Sequence, residues 1–302
     1  MSEGLQEARS SFEDLRSHGA RAVEVGHLEE AAELFERSLA WAEEHGDARQ
    51  VDLALCNRAA VAIEFGRGES ELPRLREILM RNGDPVNCRI AAYNIARHYE
   101  LAKSYKKALF YARIARERSE AIGRRDWLAS SHNLIGNTLL AESFVQQACD
   151  EYERALELSP IEPTVWRARI LDNIGYCRVL QGRHKEGIHY LYQSLRLMRR
   201  FRAERYEIST RLDLCFAHIE TQRCGHALRH GEVALALAEK LGESDSVKNA
   251  LYLLGEAENL RNNVEGARGH FARLQRDFFP DQGYLPGFLL AVDVRKLVNL
   301  HA

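Results

Sequence analysis

Proline is scarce, at six residues in 302, and no stretch of about 18 consecutive apolar residues occurs anywhere in the chain. The second absence argues against a membrane-spanning helix, and the first leaves long segments free to be helical. The opening "MSEGLQEARSSFEDL" lacks a basic start followed by an apolar core, so a secretory leader is not expected. Cysteine pairs are also missing. Cys56, Cys88, Cys149, Cys177, Cys215 and Cys224 stand singly, which fits reduced, buried thiols in a cytoplasmic protein and not a disulfide framework. The net charge of -2 gives no overall excess of cations, so coating nucleic acid is not the expected task. The patterns G-x-x-x-x-G-K-[ST], G-x-S-x-G and H-E-x-x-H are absent, and "GRGES" at 66–70 reads as a turn instead of a phosphate loop.

What is present is a helical period. Apolar residues recur at i, i+3 and i+4, and nothing alternates strongly enough for a sheet. A second pattern lies above this one. Gly136 is followed twelve residues later by Ala148 and four after that by Tyr152, and the arrangement recurs. The second small residue falls at Ala108, Ala148, Gly187, Ala227 and Ala267, at intervals of 40, 39, 40 and 40, with an earlier copy at Ala31. Helices packed about 8 to 10 Å apart need Gly or Ala where they cross. A fixed period of this kind marks a stack of hairpins that bury their apolar faces against their neighbours. The gap between Ala31 and Ala108 holds one degenerate unit, in which "ESELPRLREILM" lacks the small residue and carries Pro73.

Residues 132–160, with Gly136, Ala148, Tyr152, Ala155 and Pro160, resemble the tetratricopeptide repeat family, and the likeness extends more weakly over nearly the whole chain. The long period resembles that of kinesin light chains, spindle-orientation adaptors and bacterial peptide-sensing regulators. The fold this implies is all-α: a right-handed superhelical solenoid of about seven antiparallel hairpins over 1–280, with a C-terminal cap helix over 281–302. The resemblance further implies a concave face, lined by the first helix of each hairpin, that grips an extended peptide. The basic clamp by which chaperone-binding relatives hold a terminal carboxylate is not reproduced in order.

In register along the first helices, one inward position reads Ser17, Asn57, Asn94, Leu134, Asn173, Asp213 and Leu253, with Asn133 and Asn137 on the same face of the fourth unit. Asparagine is a poor helix former, so its recurrence needs a reason. A side-chain amide both donates and accepts, so it can hold a passing peptide backbone. The competing reason is that the amides tie neighbouring hairpins together. Tyr93, Arg97, Arg169, Asp172, Tyr176, Phe216, Tyr252 and Glu256 lie around them. Arg97 and Arg169 suit an acidic side chain or a terminal carboxylate, or else pair with acids such as Glu100 and Asp172.

Charge is uneven along the chain. "SLRLMRRFRAERY" is basic and the first unit acidic, and both read more simply as solvated surfaces than as docking sites. His226 and His230 have metal-compatible spacing, but no third ligand can be assigned and no metal is expected. Cys215 lies near His218 without an orienting acid. "GFLLAVDVRKLVNL" is apolar on more than one face, which keeps a homodimer contact open beside a capping role. The expectation is therefore a non-enzymatic peptide- or protein-binding adaptor without cofactor, using Asn57, Asn94, Asn133, Asn137, Asn173, Tyr93, Arg97, Arg169 and Tyr176. The alternative is a structural subunit that assembles through its outer surface and its C-terminal helix.

Overall fold

The computed structural model describes residues 2–295 and Leu300, with side chains from Phe12 onward. The described residues are helical and contain no strand. The helices pair as α1 (Ser2–Val25) with α2 (Leu28–His45), α3 (Ala48–Glu64) with α4 (Leu72–Arg81), α5 (Pro85–Leu101) with α6 (Tyr105–Ile122), and α7 (Arg125–Ala141) with α8 (Val145–Leu158). Then follow α9 (Val165–Leu180) with α10 (His184–Arg200), α11 (Glu204–Glu220) with α12 (Cys224–Leu241), α13 (Ser244–Leu260) with α14 (Val264–Phe278), and a single short α15 (Leu285–Ala291).

Within each hairpin the turn repeats more faithfully than the sequence does. A left-handed residue closes each first helix: Gly26, Gly66, Lys103, Ser143, Gly182, Gln222 and Asn262. The next residue's N–H then donates back to a carbonyl five positions earlier, as from His27 to Ala22, Ser104 to Tyr99 and Arg223 to His218, each at 2.8 Å. This six-to-one bond satisfies a carbonyl that the helix end would otherwise orphan. Only three of the seven positions are glycine, although the left-handed region favours it.

The small residues sit where close approach demands them. A Cβ on Gly19 would lie 2.5 Å from the Phe35 ring, one on Gly136 2.6 Å from Tyr152, one on Gly175 2.7 Å from Leu191, and one on Gly255 2.2 Å from Phe271. In each case a gap on the first helix receives the side chain sixteen residues on, and Ala31, Ala108, Ala148, Ala227 and Ala267 at the crossing are fully buried. The sixth hairpin inverts the scheme. Gly231 occupies the bulky position, and Leu254 of the following hairpin fills the space, 2.8 Å from where a Cβ would stand.

The degenerate second unit departs as its sequence suggests. A 3₁₀ turn, Gly68–Glu71, precedes a ten-residue α4 with Pro at its start, and Asn82 ends that helix in the left-handed conformation. Leu72, Leu75 and Ile78 are buried, and α4 packs mainly on α5 instead of on its own partner α3. Asp84 then starts α5 by accepting from the N–H of Asn87, with Pro85 in the first turn.

The chain divides into two compact units, Met1–Ile161 and Glu162–Ala302, at the "SPIEPT" linker whose two prolines interrupt the helix succession. In the first unit α3 touches α5 and α5 touches α7; in the second α9 touches α11 and α11 touches α13. No pair of second helices makes a comparable contact among the described residues, so within each unit the first helices form the tighter, inner row. Of the segment 281–302 expected to form a cap helix, residues 296–299, 301 and 302 lie outside the described residues. Pro280, Gly283, Pro286 and Gly287 punctuate the segment, the helix spans Leu285–Ala291 against α14, and Val292 is extended. Asn259 donates to the carbonyl of Leu290 and fixes it to α13.

Candidate functional site

The inner-row asparagines share a register but not an environment. Asn94 is buried, and its amide donates to the carbonyl of Cys56 on the neighbouring first helix at 2.7 Å, which is the hairpin-tying arrangement. Asn87, two turns before the register position on the same helix, makes the same kind of bond to the Arg49 carbonyl at 2.8 Å. Asn57 differs: its Nδ2 is buried without a hydrogen-bond partner among the described residues. Asn133 is buried on α7. Asn137 is half-buried and accepts from the Tyr152 hydroxyl at 3.0 Å. Asn173 is half-buried on α9. Leu134, Asp213 and Leu253 at the shared register are buried too, so that position faces the contact between successive hairpins more than open space.

The aromatic and basic residues divide likewise. Arg97 is taken up by two acids, with Nε and Nη2 on Glu64 at 2.8 and 3.0 Å and Nη1 on Glu100 at 2.8 Å. Burial opposes its charge, but Glu100 and Glu64 outweigh it and hold the guanidinium firmly protonated. A ligand carboxylate at this point would have to displace one of them. Tyr93 lies under Arg89, 4.8 Å from its ring centre. Arg89 is itself buried and bonds no carboxylate among the described residues, donating to Ser119 Oγ at 3.1 Å and the Trp127 carbonyl at 2.9 Å, and burial lowers its pKa to about 10.

In the second unit Arg169 stands between Trp166 and Tyr206, 5.6 and 4.7 Å from their ring centres, and no carboxylate among the described residues pairs with it. The expected pairing with Asp172 is not formed; Asp172 accepts from Ser209 at 3.3 Å. Tyr176 is fully buried, which pushes its phenol up, and its oxygen accepts from the N–H of Leu300 at 3.3 Å. Further along the row, Arg295 meets Glu220 on α11 at 3.4 Å and Glu256 on α13 at 3.7 Å. Tyr252 and Glu256 were legible from register. Glu220 and Arg295 were not, because their approach joins residues 75 apart in the chain.

On the second-helix side, the basic run and the histidines come together. Arg196, Arg199 and Arg200 line an open cleft of about 590 Å³ with Tyr192, Arg211 and His230. The Tyr192 hydroxyl is 3.2 Å from Nε2 of both His218 and His230, within hydrogen-bond reach of each ring. The His218 ring lies 5.1 Å from His226 and 5.7 Å from His230, centre to centre. Burial first, then neighbouring cations and imidazoles, lowers His218 and His230 to about 4. Among the described residues, no group of three His, Cys, Asp or Glu side chains has an arrangement that could hold a metal ion. Cys215 is buried and its thiol pushed well up. Among the described residues, no helix is long and apolar enough to cross a membrane.

No known protein-family profile matches the sequence, and no curated protein matches it. Solved structures do share its architecture. BtubC (BKLC) from P. vanneervenii superposes with a TM-score of 0.57 at 17% identity, over 76% of this chain and 93% of that one. A Rap protein complexed with competence and sporulation factor gives 0.61 at 12% identity, over 98% of both chains. The Signal Transduction ATPase with Numerous Domains protein with a tetratricopeptide repeat sensor, from Pyrococcus horikoshii, gives 0.64 at 15% identity, over 93% of this chain and 46% of that one. At these identities the likeness shows the fold alone: the chain has the tetratricopeptide-repeat fold.

Proposed function

We propose that this tetratricopeptide-repeat chain is a non-enzymatic, peptide-binding adaptor or regulator that holds an extended segment of a protein partner on its first-helix row. The observation that carries the reading is Arg169, a cation gripped by two aromatic faces and neutralised by no acid among the described residues. A guanidinium held this way keeps its in-plane donors for a carboxylate, and stacking fixes their direction. The buried, unpartnered Nδ2 of Asn57 adds unspent donor capacity on the first unit's row. On this reading Asn57, Asn133 and Asn137 hold backbone and Tyr93 offers a face on the first unit's row, while on the second unit's row Asn173 holds backbone and Arg169 selects an acidic residue. Asn94, Arg97 and Tyr176 shape the row from within. The Rap protein in complex with competence and sporulation factor supports ligand binding by an array of this fold.

The test is panning of a displayed random-peptide library against the wild type and a folded Arg169→Met variant. Enriched peptides carrying a shared carboxylate, lost on Arg169→Met, are expected. Absence of enrichment, or the same enriched set on both proteins, would overturn the reading.

A second reading rests on one observation: Tyr284, Phe288 and Val292, in and beside α15, are exposed at 68%, 43% and 42%. An assembly subunit would cover them with a second copy, and sedimentation velocity over a concentration series would show a dimer that Phe288→Ser dissolves.

A further inference from the structure

The segment after α15 returns to the inner row of the second unit. Val292 is extended, Val294 is buried, and Arg295 extends toward α11 and α13. Leu300 lies between Tyr176 on α9, to which its N–H donates at 3.3 Å, and Asn249 on α13, which donates to its carbonyl at 3.5 Å. The segment's own described residues therefore stand on the surface proposed to hold a peptide.

The fit at Arg295 is incomplete. Its closest contacts are local, to Asp293 at 2.5 and 2.9 Å. The contacts to the row are longer, 3.4 Å to Glu220 and 3.7 Å to Glu256. Glu256 is only 4% exposed, yet among the described residues its Oε1 has no hydrogen-bond partner, and neither has the buried hydroxyl of Tyr252 one turn before it. A buried carboxylate oxygen and a buried phenol left unsatisfied are costly, and a close, planar, multiply donating cation is the group that would satisfy them. Arg295 brings the charge to this place without completing the hydrogen bonds.

We propose that Glu220, Tyr252 and Glu256 form a guanidinium-binding site on the inner row of the second unit, that Arg295 is its resident occupant, and that an arginine-bearing extended peptide displaces it. This rests on the peptide-binding reading and adds to it a second, oppositely charged subsite beside Arg169 and a built-in competitor. A competitor carried on the same chain acts at a high effective concentration, so it raises the affinity that an outside peptide must have. Binding is thereby restricted to partners that complete the bonds Arg295 leaves open.

The experiment uses the full chain and, as probe, a fluorescein-labelled peptide of residues 291–302, AVDVRKLVNLHA, followed by fluorescence anisotropy. The Arg295→Ala chain, with its resident removed, is expected to bind the probe about tenfold or more tightly than the wild type. Adding Glu256→Gln to that chain is expected to weaken binding by about tenfold or more, as is replacing the probe's own arginine by alanine. If Glu256→Gln does not fold, Glu220→Gln at a more exposed position takes its place, with circular dichroism as the check on folding. Equal binding to the wild type and Arg295→Ala, or binding insensitive to both glutamine substitutions, would overturn the proposal. The two readings fail separately. Library peptides that depend on Arg169 but bind the wild type and Arg295→Ala alike would remove the resident and leave the peptide-binding reading intact. Binding of the probe with no library enrichment would do the reverse.

Discussion

Gly255 and Gly269 lie on the two helices of the last hairpin, and the same substitution at each is expected to change stability in opposite directions. A Cβ at Gly255 would stand 2.2, 2.5 and 2.7 Å from three atoms of the Phe271 ring, which is fully buried. Carbon atoms rest at about 3.5 to 4.0 Å, so the overlap exceeds an ångström and neither helix can retreat without opening the core. Overpacking of this kind costs about 1 to 3 kcal/mol, against which alanine's helix propensity returns about 1 kcal/mol. Gly255→Ala should therefore lose up to about 2 kcal/mol. Gly269 meets nothing within 4 Å, is exposed and has a helical backbone, so Gly269→Ala should gain about 1 kcal/mol. The expected gap of about 1 to 3 kcal/mol between two identical chemical changes would appear as urea midpoints moving apart in far-UV circular dichroism, at constant slope. Midpoints that move the same way would refute the view that the hairpin is built on a ring seated over a missing Cβ.

Gln222 closes the sixth first helix at φ 55°, where a side chain costs roughly 1 kcal/mol, so Gln222→Gly should raise the unfolding midpoint and Gly182→Ala, at φ 77°, should lower it. His218 and His230 titrate at about 4 in the folded state against 6.5 unfolded, so their contribution is complete above pH 6.5 and is lost as the pH falls towards 4. Between pH 7 and pH 5 the unfolding free energy should fall by about 2 kcal/mol per histidine, up to about 4 kcal/mol for the pair, less where solvent screens the half-buried His230, and a His218→Gln, His230→Gln double variant should no longer show the fall. Glu256 has the opposite sign. Burial first, with Asp293 adding to it and Arg295 opposing, raises it from 4.5 to about 7, so its contribution is present below pH 4.5 and lost as the pH rises through 7. Glu256→Gln should flatten that decline and be the more stable protein at pH 8 in the same assay.

The spacing of Gly136, Ala148 and Tyr152 made the fold legible because it records a physical pairing, a notch on one helix and a ring on the next, that each hairpin must solve again. The turns were less legible. Lys103, Ser143, Gln222 and Asn262 adopt a backbone that their side chains do not advertise. The inner row was legible as a surface but not as a set of free groups. Asn57 and Asn94 share a residue type and a register, yet the Nδ2 of Asn94 meets the Cys56 carbonyl of the hairpin before it and the Nδ2 of Asn57 meets no hydrogen-bond partner among the described residues. Arg97 finds Glu64, 33 residues away, and Arg169 finds two aromatic rings instead of Asp172. Which partner a long side chain reaches depends on helix separations that the period alone does not specify.

The inverted sixth hairpin has a consequence for how this array can change length. Where the notch and the group filling it belong to one hairpin, as at Gly136 and Tyr152, a whole unit can be duplicated or deleted with its clasp intact. Gly231 is filled by Leu254 from the unit that follows. Excising the last hairpin would open a hole in the one before it, so these two hairpins can be inherited, transplanted or lost only as a pair.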